Sequence, residues 1–485
     1  MTTSIFWFRQ DLRLADNPGL LAALQRGAVV PLYMDSPEED GAWPDGRAAR
    51  WWLRANLGAL AEDLARLGAP PLRLERGPAL ATIRRVCADA GADAVFWNRR
   101  YEPAVMARDR AVKTALRADG LVAESRNGAL LLEPWEIANQ SGRPFLVFTP
   151  FWKELLKRVQ PPLPTPAPAR WPAGAGASSG RTSLANASTR SLDDLFPLPR
   201  PAWHRGIEAT WPAGEAAAQQ QLAQFIAGPL AGYRDARDRP ATAGTSRLSP
   251  YLHLGAISPR QIWHAIGAAQ NARAQPAAEW RTGKFLAELV WREFAHHLLF
   301  YHPQLPDEPL RGEFTHFPWR EDARALAAWQ RGRTGIPLVD AGMRELWATG
   351  WMHNRVRMVV ASFLVKNLQL HWRHGARRFW DTLIDADLAN NTQGWQWTAG
   401  CGADAAPYFR VFNPVTQALK FDPDAEYIRR WVPELAALDT AFVHEPWRAP
   451  RAPDYPPPIV DLAASRTGAL AAFRTLRSNK SASES

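Results

Sequence analysis

Cysteine is almost absent. Cys87 and Cys401 are the only two in 485 residues, and they lie far apart in sequence, so neither a disulfide framework nor a cysteine metal site is expected. A reducing cytosol and no bound metal follow as expectations. Long apolar runs are also missing: no segment approaches a membrane span, and the opening MTTSIFWFRQDLRL is too short for a secretory core before Arg9, Asp11 and Arg13 interrupt it. A cytoplasmic protein with no membrane association is predicted. No G-x-G-x-x-G follows the first apolar run, which argues against dinucleotide binding there. No internal repeat is evident.

Arginine and tryptophan are plentiful. A net charge of +10 and a pI near 9.9 permit nucleic-acid binding through phosphate neutralisation. The 23 tryptophans exceed what packing requires; indoles serve cores, base stacking and electron hopping, and only location decides among them.

Residues 1–130 alternate short apolar runs (SIFWF, VVPLYM, PLRLE, AVFW) with helical patterns at Asn17–Arg26, Arg47–Leu67, Ala79–Ala90 and Pro103–Asp119. Strand and helix in turn predict a parallel, doubly wound, Rossmann-like sheet, hence an α/β fold class for this part. Arg9, Asp11 and Arg13 read as a salt-bridged strand end. Residues 131–214 carry the short helix FTPFWKELLKRV and then PPLPTPAPARWPAGAGASSG, which predicts an interdomain linker with little regular structure. Residues 215–475 are dominated by helical patterns and predict an all-helical second domain, and 476–485, ending SNKSASES, reads as a disordered tail.

The chemistry-bearing motifs fall in the helical part. TGWMHNRVRMVVASFLVKN has helical apolar periodicity, yet sets Asn354, Arg357 and Met358 at i, i+3 and i+4. Polar groups on a largely buried helix are costly unless something binds there. Asp385, Asp387, Asn390 and Asn391 then lead into Trp395 and Trp397, a set that suits a planar, hydrogen-bonding, redox-active ring better than a phosphate. Upstream, GTSRLSP offers the hydroxyls, backbone N–H groups and guanidinium that suit a pyrophosphate, although a helix-capping turn would look similar. In FLAELVWREFAHHLL, Glu288, Trp291 and Arg292 share a helix face, read either as a Glu–Arg pair beside a core indole or as part of a site.

WMHNRxRM followed by DxDLANNxxGWQW resembles the flavin pocket of the photolyase/cryptochrome family, and the resemblance runs from WFRQDLRL to FNPVTQ near Pro414. It implies an N-terminal antenna domain and a C-terminal helical domain holding FAD, reduced (FADH⁻) when active. Tyr233, Thr245, Ser246, Arg247, Leu248 and Ser249 would hold its diphosphate and ribityl parts. Arg292, Arg357 (as partner of Asp385), Asp387 and Asn391 would surround the ring, with Asn391 facing N5. The resemblance makes Glu288 the stabiliser of charge developing on the dimer carbonyls, which requires a protonated carboxyl and hence a pKa raised by burial. Asn354 and Met358 would contact the dimer, Trp291 and Trp397 would pack on it, and Arg237, Arg355, Arg410 and Lys420 would meet DNA phosphates. Trp395, Trp372 and Trp319 match a photoreduction relay. Glu102, in NRRYEP, would accept from a methenyltetrahydrofolate pterin, with 8-hydroxy-deazaflavin or an empty site as alternatives.

Within the family, His353 followed by Asn354 disfavours (6-4) chemistry, Met358 disfavours a DASH type, and Asn391 disfavours plant-type signalling. A bacterial cyclobutane pyrimidine dimer photolyase of class I or class III is the reading. It implies a monomer in the bacterial cytoplasm, associated with the nucleoid through ultraviolet-damaged DNA. The rivals are a blue-light sensor without repair activity and a plain flavin- or single-strand-binding protein.

Overall fold

A computed structural model describes residues 2–172, 190–405, 409–451 and 454–483. In the N-terminal half strands and helices alternate as β1 (Thr2–Phe8), α1 (Pro18–Arg26), β2 (Gly27–Asp35), α2 (Arg47–Arg66), β3 (Arg73–Arg76), α3 (Ala79–Ala90), β4 (Ala94–Asn98), α4 (Pro103–Ala118) and β5 (Val122–Arg126). Every pairing is parallel and the strand order is β3-β2-β1-β4-β5, with Ile5 opposite both Val30 and Val95. β1 is buried on both faces, as a central parallel strand must be. Its residues alternate between two cores: Phe6 and Phe8 face the one shared with the helical half, while Ile5 and Trp7 pack under α3 and α4. The α1 helix starts where the Asn17 side chain accepts from the Leu20 amide at 3.1 Å, followed by Pro18 at the first helical position.

The strand end after β1 ties the two halves together. Arg9 pairs with Asp109, and Asp11 accepts from the Arg9 amide at 2.7 Å and from Asn98 Nδ2 at 2.6 Å. Arg13 forms no such ion pair: its guanidinium donates to the carbonyls of Asp16, Gly128 and Gly255. The predicted salt-bridged strand end is therefore partly a carbonyl clamp between halves. Gly255, at φ +63°, lets the helical chain pass so close to the Gln10 carbonyl that a Cβ would collide with it.

The described residues of the segment expected as an interdomain linker with little regular structure pack on both halves. They form α5 (Phe148–Arg158) and two short helices, Leu192–Leu195 and Arg205–Thr210, and bury Phe151, Leu155, Trp171, Phe196, Ile207 and Trp211 in the shared core. Residues 159–172 have no regular structure, as the proline-rich composition requires, and 173–189 lie outside the described residues. A helix spans Leu462–Ser483 and buries Ala469 and Leu476 against the second helical core, and 484–485, the end of the tail expected over 476–485, lie outside the described residues. Among the described residues, no helix is long and apolar enough to cross a membrane, and no group of three or more His, Cys, Asp or Glu is placed to hold a metal ion.

Candidate active site

Three helices and a loop converge on a cavity of about 750 Å³ in the helical half, a volume typical of cofactor and substrate sites. The Lys284–Tyr301 helix supplies Lys284, Glu288, Trp291 and Arg292 from one face. The Asn354–Ser362 helix begins where the His353 ring accepts from the Arg355 amide at 3.2 Å, and its opening turns bring Asn354, Arg355, Arg357 and Met358 to the wall. The Leu388–Ala399 helix is capped by Asp387, which accepts from the Asn390 amide at 2.8 Å, and it delivers Asn391, Trp395 and Trp397. Gly375, on the Trp372–Thr382 helix, presses on the Trp395 ring so closely that a Cβ there would overlap the indole. Tyr233, Arg237, Ser246, Leu248 and Ser249 close the remaining side.

The deep end is an acceptor-rich cradle. Arg357 Nη2 donates to Asp385 Oδ2 at 2.8 Å, the pairing expected from the resemblance, and Ser249 Oγ donates to the same oxygen at 2.6 Å. Asp387 meets His296 Nε2 at 3.3 Å; burial works against its charge, but His296 and then Arg292 hold its carboxyl well below the usual carboxylate range. Burial pushes the His353 imidazole down to about 4, which keeps the ring neutral near pH 7 and its Nδ1 free to accept.

The mouth is a cluster of opposed charges. Glu288 pairs with Arg237 and, at 3.1 Å, with Lys284; Asp238 lies 3.7 Å from Arg237 and 2.8 Å from Arg355. The Glu288 side chain is 28% exposed and is held by both cations. Trp291 stands beside it, stacked on Phe148 at 3.7 Å and 5°, and Trp397 is pinned by its Nε1 donating to the Asp404 carbonyl at 3.1 Å.

Several expected residues lie off this wall. Thr245 and Arg247 are not on it; Arg247, at φ +53°, stacks over Trp211 and Trp351. Lys420 lies over Phe421 on the Pro414–Phe421 helix. Arg410 does reach the lining. Trp395 touches Phe379 and Trp329, while buried Trp372 is joined to half-buried Trp319 through the His371 ring, at 5.6 and 5.1 Å. Glu102 sits away from the cavity wall, with both carboxylate oxygens taken by Arg100. Sequence reasoning missed Lys284, His296 and Asp238. The first two were legible as the i−4 neighbour of Glu288 and the i+4 neighbour of Arg292; Asp238 is brought to Arg355 only by the tertiary fold.

The cradle fits a flavin by what it leaves open. Asp385 Oδ1, Trp395 Nε1 and both ring nitrogens of His253 line the cavity region buried and without a partner, and a hydrogen-bonding ring would satisfy them.

Residues 4–169 match the family described as DNA photolyase, and residues 285–475 match the FAD binding domain of DNA photolyase. The chain is 44% identical to the deoxyribodipyrimidine photo-lyase of Agrobacterium fabrum over 98% of each chain. It is 40% identical to cryptochrome-1 of Arabidopsis thaliana over 95% of this chain and 68% of that one. The crystal structure of a bacterial class III photolyase from Agrobacterium tumefaciens superposes with a TM-score of 0.92 at 43% identity, covering 99% of this chain and 98% of that one. With both halves matched and the likeness running end to end, the chain belongs to the photolyase/cryptochrome family.

Proposed function

We propose that the protein is a light-driven DNA-repair lyase that splits cyclobutane pyrimidine dimers, the deoxyribodipyrimidine photo-lyase reaction. The observation that carries this reading is a single cavity in which the cradle of Asp385, Asp387 and Asn391 opens directly onto Glu288, Trp291, Asn354, Met358 and Trp397. Asp385, Asp387 and Asn391 would hold reduced FAD, which when bound and photoexcited would supply reversible one-electron chemistry for opening the cyclobutane ring. The chain's own residues prepare the substrate. Arg237, Lys284, Arg355 and Arg410 at the mouth attract phosphates, and a dimer extruded from the duplex enters between the indoles of Trp291 and Trp397. Photolyases are among the enzymes that reach a base by swinging it out of the stack, and extrusion here follows from that general rule.

Glu288 has two states in this scheme. In the free protein Arg237 and Lys284 hold its carboxylate; DNA phosphates compete for both cations, and the released carboxyl, now covered by the dimer, takes a proton and donates from Oε to the pyrimidine C4 carbonyls as charge grows there. Asn391, whose Nδ2 donates to the Ala376 carbonyl at 3.1 Å, would have its Oδ1 left to accept from a reduced flavin without titrating. Trp395, Trp372 and Trp319 form the outward series for photoreduction. The likeness to a class III photolyase favours class III over class I. Direct absorption by the flavin suffices for this scheme, and a second chromophore, methenyltetrahydrofolate or 8-hydroxy-deazaflavin, would add to the light collected.

The test is repair of a dimer-containing oligonucleotide by the purified, flavin-loaded protein under blue light. Loss of dimer in the light and not in the dark is expected. A flavin-loaded protein inert toward dimers in the light would leave the blue-light sensor, the reading favoured by the cryptochrome likeness.

A further inference from the structure

Leu146 and Val147 are 45% and 46% exposed, the one pair of consecutive large apolar residues left open to solvent among the described residues. They stand on a rigid stem. The Phe145 amide donates to His297 Nε2 at 3.0 Å, the Leu146 carbonyl accepts from the Asp404 amide at 3.2 Å, and Phe148 begins α5 with its ring stacked on Trp291. Asp404 and Trp291 both line the cavity. The two apolar side chains therefore sit on the rim between two pieces of the wall, each fixed by backbone or ring contacts, and Asp404 also holds Trp397 through its carbonyl.

We propose that Leu146 and Val147 form an apolar wedge that enters the duplex where the dimer has left it. The inference rests on the proposed repair reading. Extruding two adjacent nucleotides opens a gap in the base stack, and its walls are base faces that water wets poorly; inserting aliphatic side chains at an unstacked step is how many DNA-bending proteins hold such a distortion. The cations Arg237, Lys284, Arg355 and Arg410 around the same mouth match the phosphates that flank the gap, so the occupant of this apolar pair is duplex DNA at the lesion. A stem locked to the wall sets the wedge at a fixed offset from the hole. That offset is what coupling of insertion to extrusion requires.

The proposal separates duplex from single strand, because an isolated strand has no opposing stack to fill. A Leu146→Ser/Val147→Ser variant, checked for wild-type flavin content, is titrated with the same dimer in a duplex and in a single-stranded oligonucleotide. Affinity for the duplex dimer should fall about tenfold or more, with single-strand affinity unchanged, and Leu146→Met/Val147→Ile should restore duplex binding. Equal losses in both substrates, or no loss in either, would overturn the wedge. If the wild-type protein shows no preference for dimer-containing over intact DNA, it is the repair reading that has failed.

Discussion

The Arg9–Asp11–Arg13 strand end and the Arg237–Glu288–Lys284 mouth use the same kinds of side chain and differ in what they bond to. At the strand end the charges are almost wholly buried, and Arg13 spends its donors on the main-chain carbonyls of Asp16, Gly128 and Gly255. At the mouth every partner is another side chain, and Glu288 and Lys284 are partly open to water. A carbonyl in a packed backbone cannot be exchanged for anything else, whereas a carboxylate on a flexible stem can give up its cation to a phosphate. The first arrangement fixes structure and the second can respond to a ligand.

The largest expected effect breaks the first cluster. Arg13→Ala strands three carbonyls in the seam between the halves and should cost about 3–5 kcal/mol of stability, read as a lower urea or thermal midpoint. An Arg13→Ala protein as stable as wild type would show the carbonyl clamp to be dispensable. Next comes the cradle. Asp385→Asn leaves Arg357 without its anion at a buried site, and the purified protein should lose most of its flavin, seen in the ratio of flavin to protein absorbance, while the α/β half stays folded by circular dichroism.

At the mouth the effects move from stability to function. Glu288→Gln should leave flavin content intact and slow repair under saturating DNA by about tenfold to a hundredfold, since the donor aimed at the developing charge is weakened. Arg237→Gln should change stability by less than about 1 kcal/mol, weaken DNA binding about tenfold, and reduce the slope of log affinity against log salt by about one. If Arg237→Gln unfolded the protein while leaving the salt slope alone, the contrast between the two clusters would collapse.

How much of the molecule is legible in its sequence follows from the same physics. β1, β2 and β4 announce themselves because a central parallel strand is apolar throughout; of the two edge strands, β3 reads RLER and β5 reads VAESR, and β5 buries only Ala123. Glu288, Trp291 and Arg292 are legible because helical spacing alone puts them on one face. The packing of 131–172 and 190–214 is not, because their proline-rich composition hides a few well-separated anchors such as Trp171 and Phe196. The final helix is hidden because its polar end masks Ala469 and Leu476, seven residues apart on one stripe. Arg13 departs from expectation because sequence names the charge but not whether its partner is main chain, side chain or ligand.

The smallest effect is in pH. Burial lowers both His353, which caps the helix of Asn354, and His297, which accepts from the Phe145 amide, to about 4, against 6.5 in an open chain. Between those values the unfolded chain binds protons that the folded one refuses, so stability is whole above pH 6.5 and falls as the pH drops toward 4. On the same helix as His297, burial raises Glu293 from 4.5 to about 7, and its cost grows in the opposite direction, as the pH rises between those values. The two histidines therefore contribute a loss of stability below pH 6.5, and Glu293 an opposing one that grows from pH 4.5 to about 7 and is constant above it. His297→Gln should flatten the acid side alone, because it keeps an acceptor for the Phe145 amide and removes the titration; an unchanged acid limb would mean that the loss there comes from groups other than this histidine.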